Sequence, residues 1–190
     1  MRYSPDVIIN VAGLSGCGKS TLISDTFGTD WAVFRPSDIL RDNAERVGIP
    51  ITKPSDYIDI HDSLEAENPD FMVDSILHLR GKVVLDGLRV HRHVAKIAEV
   101  MGPALFTTYL TCKDELRLQR VQSRLGRPEG APQSIEELYM RDAISIPENY
   151  EFDKVAAMAN LPCGSFDTSG NRVENAVRYG LLVRSLVNVA

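Results

Sequence analysis

Residues 13–21, Gly13-Leu14-Ser15-Gly16-Cys17-Gly18-Lys19-Ser20-Thr21, constrain this chain more than any other stretch. They fit the pattern Gly-x4-Gly-Lys-Ser/Thr, and their flanks match what such a loop requires. The run Val7-Ile8-Ile9-Asn10-Val11-Ala12 before it reads as a buried strand, and Ser20 to Phe27 after it begins like a helix. In that setting the glycines let successive backbone N–H groups turn toward an anionic phosphate, and the helix N-terminus adds partial positive charge. Lys19 is then placed for the β- and γ-phosphates of a nucleoside triphosphate, and the Ser20 hydroxyl for Mg²⁺. The loop residues Gly13, Ser15, Gly16, Cys17, Gly18, Lys19, Ser20 and Thr21 are the expected cofactor-binding set.

A chain of 190 residues with 44% hydrophobic and 25% charged residues is expected to form one soluble domain with a full sheet core. The net charge of −5, from 21 basic and 26 acidic residues, weighs against a broad nucleic-acid surface. The apolar stretches are strand-length, so no membrane span is expected, and Met1-Arg2-Tyr3-Ser4-Pro5 has no signal-peptide pattern. Cys17, Cys112 and Cys163 cannot all pair and lack metal-ligand spacing, which points to a reducing, cytoplasmic setting. Of His61, His78, His91 and His93, the last two form a His-x-His with no acidic or thiol partner beside it, so no metal site is expected there.

Strands and helices alternate along the chain. Further strands are expected at Trp31 to Phe34, Lys82 to Asp86, Ala104 to Thr111 and Ser165 to Asp167. The nearly all-apolar third strand is of the kind covered on both faces of a parallel sheet. Helices are expected from Asp38 to Val47, Asp56 to Leu64, Phe71 to Leu79, His91 to Met101, Asp114 to Leu125 and Arg172 to Val189. Pro36-Ser37 is read as the N-cap of the first of these and Ser55 as that of the second. Ser134-Ile135-Glu136-Glu137 is a capping box opening another helix through Arg141, after the breaker-rich loop from Gly126 to Pro132. The pattern implies a parallel sheet sandwiched by helices, whose ligands bind beyond the carboxyl ends of the strands. The segments 13–21, 35–41 and 86–89 all fall there.

Asp86 ends an apolar strand, where an acid is the expected partner of Mg²⁺ opposite Ser20. Arg117, Arg120 and Arg124 are spaced to share one helix face, with Arg127 and Arg141 beyond, next to a Gly/Pro-rich loop suited to a lid. Guanidinium groups delivered by closure would offset the charge spread in phosphoryl transfer. Arg41 is an expected anion clamp. Asp38 is either a first-turn helix acid or a general base for an acceptor hydroxyl. The acidic stretch from Asp56 to Asp74 reads either as a solvated face or as an acceptor-binding insertion.

The loop 13–21, the Ser37-Asp38-Ile39-Leu40-Arg41 turn, Asp86-Gly87-Leu88-Arg89 and the arginine-rich segment together resemble the P-loop nucleoside and nucleotide kinase family. Nucleoside-monophosphate kinases and dephospho-coenzyme A kinase-like proteins are the members nearest in pattern. The resemblance implies a P-loop NTPase three-layer α/β/α sandwich with a five-stranded parallel sheet, an acceptor-binding helical insertion at about 38–80 and a small lid at about 117–142. It implies an ATP- and Mg²⁺-dependent kinase with a small, nucleotide-like acceptor, acting as a monomer or homodimer. By this likeness Lys19, Asp38, Arg120, Arg124 and Arg127 serve transfer, Asp38, Arg41, Asp86, Arg89 and Arg141 hold the acceptor, and Arg120 also packs on the donor base. Asp167-Thr168-Ser169-Gly170 resembles the turn that borders the adenine. The chain departs from adenylate kinases in lacking a Pro before Arg89 and in carrying Glu129 alone where the lid usually has paired aspartates. Other readings are kinases of a hydroxymethyl pyrimidine within DNA, which the acidic balance disfavours, and a non-catalytic nucleotide switch. A GTPase would need an Asn-Lys-x-Asp run, and the sequence contains none.

Overall fold

The computed structural model describes residues 4–52, 54–124, 131–160 and 164–187. Its strands are β1 (Val7–Gly13), β2 (Trp31–Phe34), β3 (Lys82–Asp86), β4 (Leu105–Thr111) and β5 (Ser165–Asp167). A nearly all-apolar run can be covered on both faces only inside a sheet, and β1 sits at its centre, buried at every position. The strand order is β2-β3-β1-β4-β5, and every neighbouring pair is parallel. β4 begins one residue later than the sequence implied, because 102–104 form a 3-10 turn.

The helices are α1 (Lys19–Thr26), α2 (Pro36–Val47), α3 (Pro54–Glu67), α4 (Phe71–Leu77), α5 (His91–Met101), α6 (Asp114–Gln122), α7 (Ile135–Ser145), α8 (Phe152–Ala157) and α9 (Arg172–Val187). Side chains alternate across a strand, and β1 divides the core accordingly. Ile8 and Ala12 join Leu85, Leu40, Ile76, Ile97 and Val155 on the face covered by α2 to α5 and α8. Ile9 and Val11 join Val84, Leu22, Phe166 and Tyr179 on the face covered by α1 and α9. The result is the expected three-layer α/β/α sandwich. No helix among the described residues is long and apolar enough to cross a membrane.

Several boundaries differ from the sequence reading. α2 starts at Pro36 with Arg35 as its N-cap, because a proline at N1 lacks the N–H that would be orphaned there. α3 starts at Pro54, ahead of the Ser55 cap the sequence implied, and it runs on to Glu67 until Asn68 and Pro69 stop it. α4 ends two residues short of Leu79. α6 ends at Gln122, so Arg124 lies beyond it and does not extend a face with Arg117 and Arg120. α8, six residues long, is too short to show helical periodicity and was missed. Ser134 caps α7 as expected, accepting the Glu137 N–H at 3.2 Å.

Candidate functional site

The residues after β1 form a loop whose carbonyls are all engaged. Lys19 Nζ donates to the carbonyls of Gly13 (2.8 Å) and Leu14 (3.0 Å). Arg117 Nε donates to Ser15 O at 3.0 Å, Arg120 Nη1 reaches Gly16 O at 3.4 Å, and the Thr168 hydroxyl donates to Cys17 O at 2.8 Å. With the carbonyls held, the loop amides other than Cys17 N–H, which donates to Leu14 O at 3.3 Å, remain as the groups to face an anion. Gly18, in the left-handed region at φ 81°, leads into α1, whose first turn carries neither an acid nor a side-chain cap. Its orphan N–H groups are therefore free of internal competition for a phosphate. Gly16 is required for a second reason: a Cβ there would stand 2.7 Å from the Arg117 carbonyl.

Arg117 does not belong to a solvent-facing lid. It is 2% exposed and bonds Asp114 at 2.7 Å, Asp142 of α7, and Ser15. It ties the phosphate loop to α6 and α7, so the Arg117 end of the expected 117–142 lid is anchored. Arg127 and residues 125–130, which include most of the breaker-rich loop from Gly126 to Pro132, lie outside the described residues.

On one side of the loop, a cavity of about 300 Å³ is lined by Gly16, Gly18, Thr21, Arg120, Arg124 and Thr168 among others. Arg120 donates to Thr168 O at 2.9 Å, and Asn175 Nδ2 donates to the same carbonyl at 3.2 Å. The 167–170 turn is thereby fixed to the phosphate loop.

On the other side lies a cavity of about 490 Å³. Ser15 of the loop, Ser37 and Leu40 of α2, Tyr57 and His61 of α3, Asp86 to Val90 after β3, His93 of α5, Arg141 of α7 and Tyr150 all line it. The two strand ends meet here: a Cβ on Gly87 would stand 3.3 Å from Lys19 Cε. Asp86, its side chain 6% exposed, faces Arg35 Nε at 3.4 Å. Arg89 makes no ion pair within 4.0 Å among the described residues, and burial pushes its guanidinium below the usual arginine range. Burial, with Arg89 nearby, also brings Lys19 down to about 7. A cation short of counter-charge and removed from water is a site waiting for an anion. In the cavity wall, burial brings His93 down to about 3 and lowers His61 as well, while it raises the Tyr150 hydroxyl to about 12.

Of the expected acceptor residues, the structure brings Asp86, Arg89 and Arg141 to this cavity and leaves Asp38 and Arg41 off its lining. The Asp38 carboxylate is taken by Arg41 at 2.9 Å and Arg35 at 3.9 Å, and Arg41 also donates to the Tyr57 hydroxyl at 3.2 Å. Ser20 is exposed at the start of α1. Tyr150 was missed because it sits in a short 3-10 turn, where no periodicity marks it. The histidine reading is also corrected. His93 does have an acidic neighbour, Glu65 on α3, which lies next to it in space and 28 positions away in sequence.

No protein-family model matches the chain. A UPF0200 protein of Pyrobaculum aerophilum is 28% identical over 137 residues, covering 71% of this chain and 75% of that protein. Among solved structures, a gluconokinase of Sinorhizobium meliloti 1021 superposes with a TM-score of 0.50 at 16% identity, over 100% of this chain and 97% of the other. TT1252 of Thermus thermophilus superposes with a TM-score of 0.52 at 18% identity, over 92% of this chain and 96% of its own. The likeness to these solved structures carries the fold, a parallel α/β/α sandwich.

Proposed function

We propose that this chain is an ATP- and Mg²⁺-dependent phosphotransferase acting on a small acceptor that carries an anionic group, a nucleotide or nucleotide-like molecule. One observation carries the reading. Two cavities border the loop, the smaller lined by Gly16 and Gly18 and the larger by Ser15, and Lys19 lies against Gly87 of the larger cavity's wall. Donor and acceptor could then approach the same phosphoryl group from opposite sides, as in-line transfer requires.

Loop amides and Lys19 hold the β- and γ-phosphates in this reading. Ser20 and Asp86 offer hard oxygen donors, a set that fits Mg²⁺. When bound, the ion would neutralise charge developing on the phosphates. Arg120, Arg124 and Thr168 border the donor side, and Arg89 and Arg141 bind the acceptor's anionic group. A gluconokinase shares the fold, so a carboxylate acceptor such as gluconate belongs beside phosphates among the candidates for Arg89.

The test measures ATP consumption by the purified chain with nucleosides, nucleotides, coenzyme A precursors, gluconate and short DNA in turn. Acceleration by one anionic small molecule supports the reading. Hydrolysis indifferent to every acceptor would make the chain a nucleotide-binding switch.

A further inference from the structure

His61 and Glu65 stand one turn apart on α3, and His93 reaches them from the first turn of α5. One donor atom from each lies within 4.8 Å of the others. Glu65 Oε1 is 3.3 Å from His61 Nε2 and 2.8 Å from His93 Nε2. Donors bound to tetrahedral zinc at about 2.0–2.1 Å stand roughly 3.3 Å from one another, so the two histidine–glutamate separations are near that spacing as they stand, and the third pair lies within 4.8 Å.

The second observation is that these atoms are buried and unsatisfied. His61 is 4% exposed and His93 1%. Among the described residues, His61 Nε2, Glu65 Oε1 and both ring nitrogens of His93 have no hydrogen-bond partner. The 2.8 Å approach is therefore close without being an aligned hydrogen bond. Buried polar groups are nearly always satisfied, and here neighbouring orphans converge on one point.

Their surroundings orient them as the outer partners of a metal site do. Asp62 Oδ1 lies 3.3 Å from His61 Nδ1. A proton on Nδ1, donated to that carboxylate, leaves the Nε2 lone pair on the Glu65 side. Arg92 pairs with Glu65 Oε2, which leaves Oε1 as the single oxygen for an ion. Two imidazoles and one carboxylate suit zinc and its neighbours in the transition series, whereas Mg²⁺ and Ca²⁺ favour oxygen ligands.

We propose that His61, Glu65 and His93 form a zinc-class divalent metal site in the wall of the larger cavity, with Asp62 and Arg92 as positioning residues. Both imidazoles line that cavity, so the fourth coordination position goes to water or to an oxygen of whatever the cavity binds. The site does not depend on the phosphotransferase reading, because it needs no nucleotide.

The full chain, stripped with a chelator, is titrated with Zn²⁺ and separately with Co²⁺ in the absence of nucleotide. The expected result is one ion per chain, the visible absorption of four-coordinate cobalt, and a higher melting temperature with zinc. Glu65→Gln should abolish stoichiometric binding. Asp62→Asn changes an exposed residue, so it should fold normally while weakening zinc about ten- to hundredfold. Failure of the wild-type chain to take up zinc, or uptake that survives Glu65→Gln, overturns the site. Should Glu65→Gln fail to fold, an Asp62→Asn affinity equal to wild type does so instead. Nucleotide binding, read separately on the same samples, reports on the phosphotransferase proposal alone.

Discussion

The two sides of the phosphate loop are built in different ways. The smaller cavity rests on main chain: loop carbonyls fastened by Lys19, Arg117, Arg120 and Thr168, next to a helix N-terminus with open amides. The larger cavity rests on side chains delivered by α2, α3, α5, α7 and the turn at Tyr150, and it holds Arg89, which has no ion-pair partner within 4.0 Å among the described residues. In the phosphotransferase we propose, the backbone-built site recognises what all nucleoside triphosphates share, and the side-chain-built site, alterable residue by residue, sets acceptor choice.

The largest effect should come from the strut between the two sides. Arg117→Met leaves Asp142 buried without its partner and should cost about 3–5 kcal/mol in chemical denaturation. Arg124→Met, at an exposed position, should stay within about 0.5 kcal/mol of wild type. Equal stabilities would erase the distinction between anchored and lid arginines. Lys19→Ala should lower nucleotide turnover by about a hundredfold or more with an unchanged circular dichroism spectrum. Turnover near wild type would remove the donor side from the scheme.

Arg89→Met should sharpen the comparison by raising the acceptor KM about tenfold or more while nucleotide affinity stays within about twofold. Proton linkage gives the next effect. Lys19 sits at about 7 without ligand, against an ordinary lysine value of 10.5. A bound phosphate favours the charged form and raises that pKa, so the complex holds more protons than the free chain between those values. Affinity for the nucleotide should therefore fall as pH rises through that window, by at most about tenfold per unit. Calorimetry at about pH 8 in buffers of different ionisation heat should show proton uptake. The smallest effect is expected from Asp38→Asn, because that carboxylate is already held by Arg41 and Arg35 outside the cavity lining. A change in kcat below about threefold agrees with a phosphate as the attacking group, which needs no base. A large fall in kcat at constant KM would instead mark a hydroxyl acceptor deprotonated by Asp38.

Legibility in the sequence followed the same division. The strands at 7–12 and 82–86, the glycine positions and Lys19 could be read because backbone requirements act over a few neighbouring residues. The β1 and β3 ends, which place Gly87 against Lys19, followed from the rule that parallel sheets bind ligands at their carboxyl edge. The role of Arg117 could not be read: its spacing fits a solvated face, and only the packing of α6 on the loop buries it. Glu65 and His93 were likewise invisible as neighbours, since α3 and α5 are separated in the chain by α4 and β3 and meet only in the tertiary structure.

The sequence by itself determined the parallel α/β architecture and the glycine-rich loop between its first strand and helix, because hydrophobic periodicity, glycine conformation and a helix start are local properties. Tertiary structure alone decided which arginine is a strut and which faces a cavity, and that two histidines and a glutamate share one buried point. Those outcomes depend on burial and on distances between segments far apart in the chain, which no spacing along it encodes.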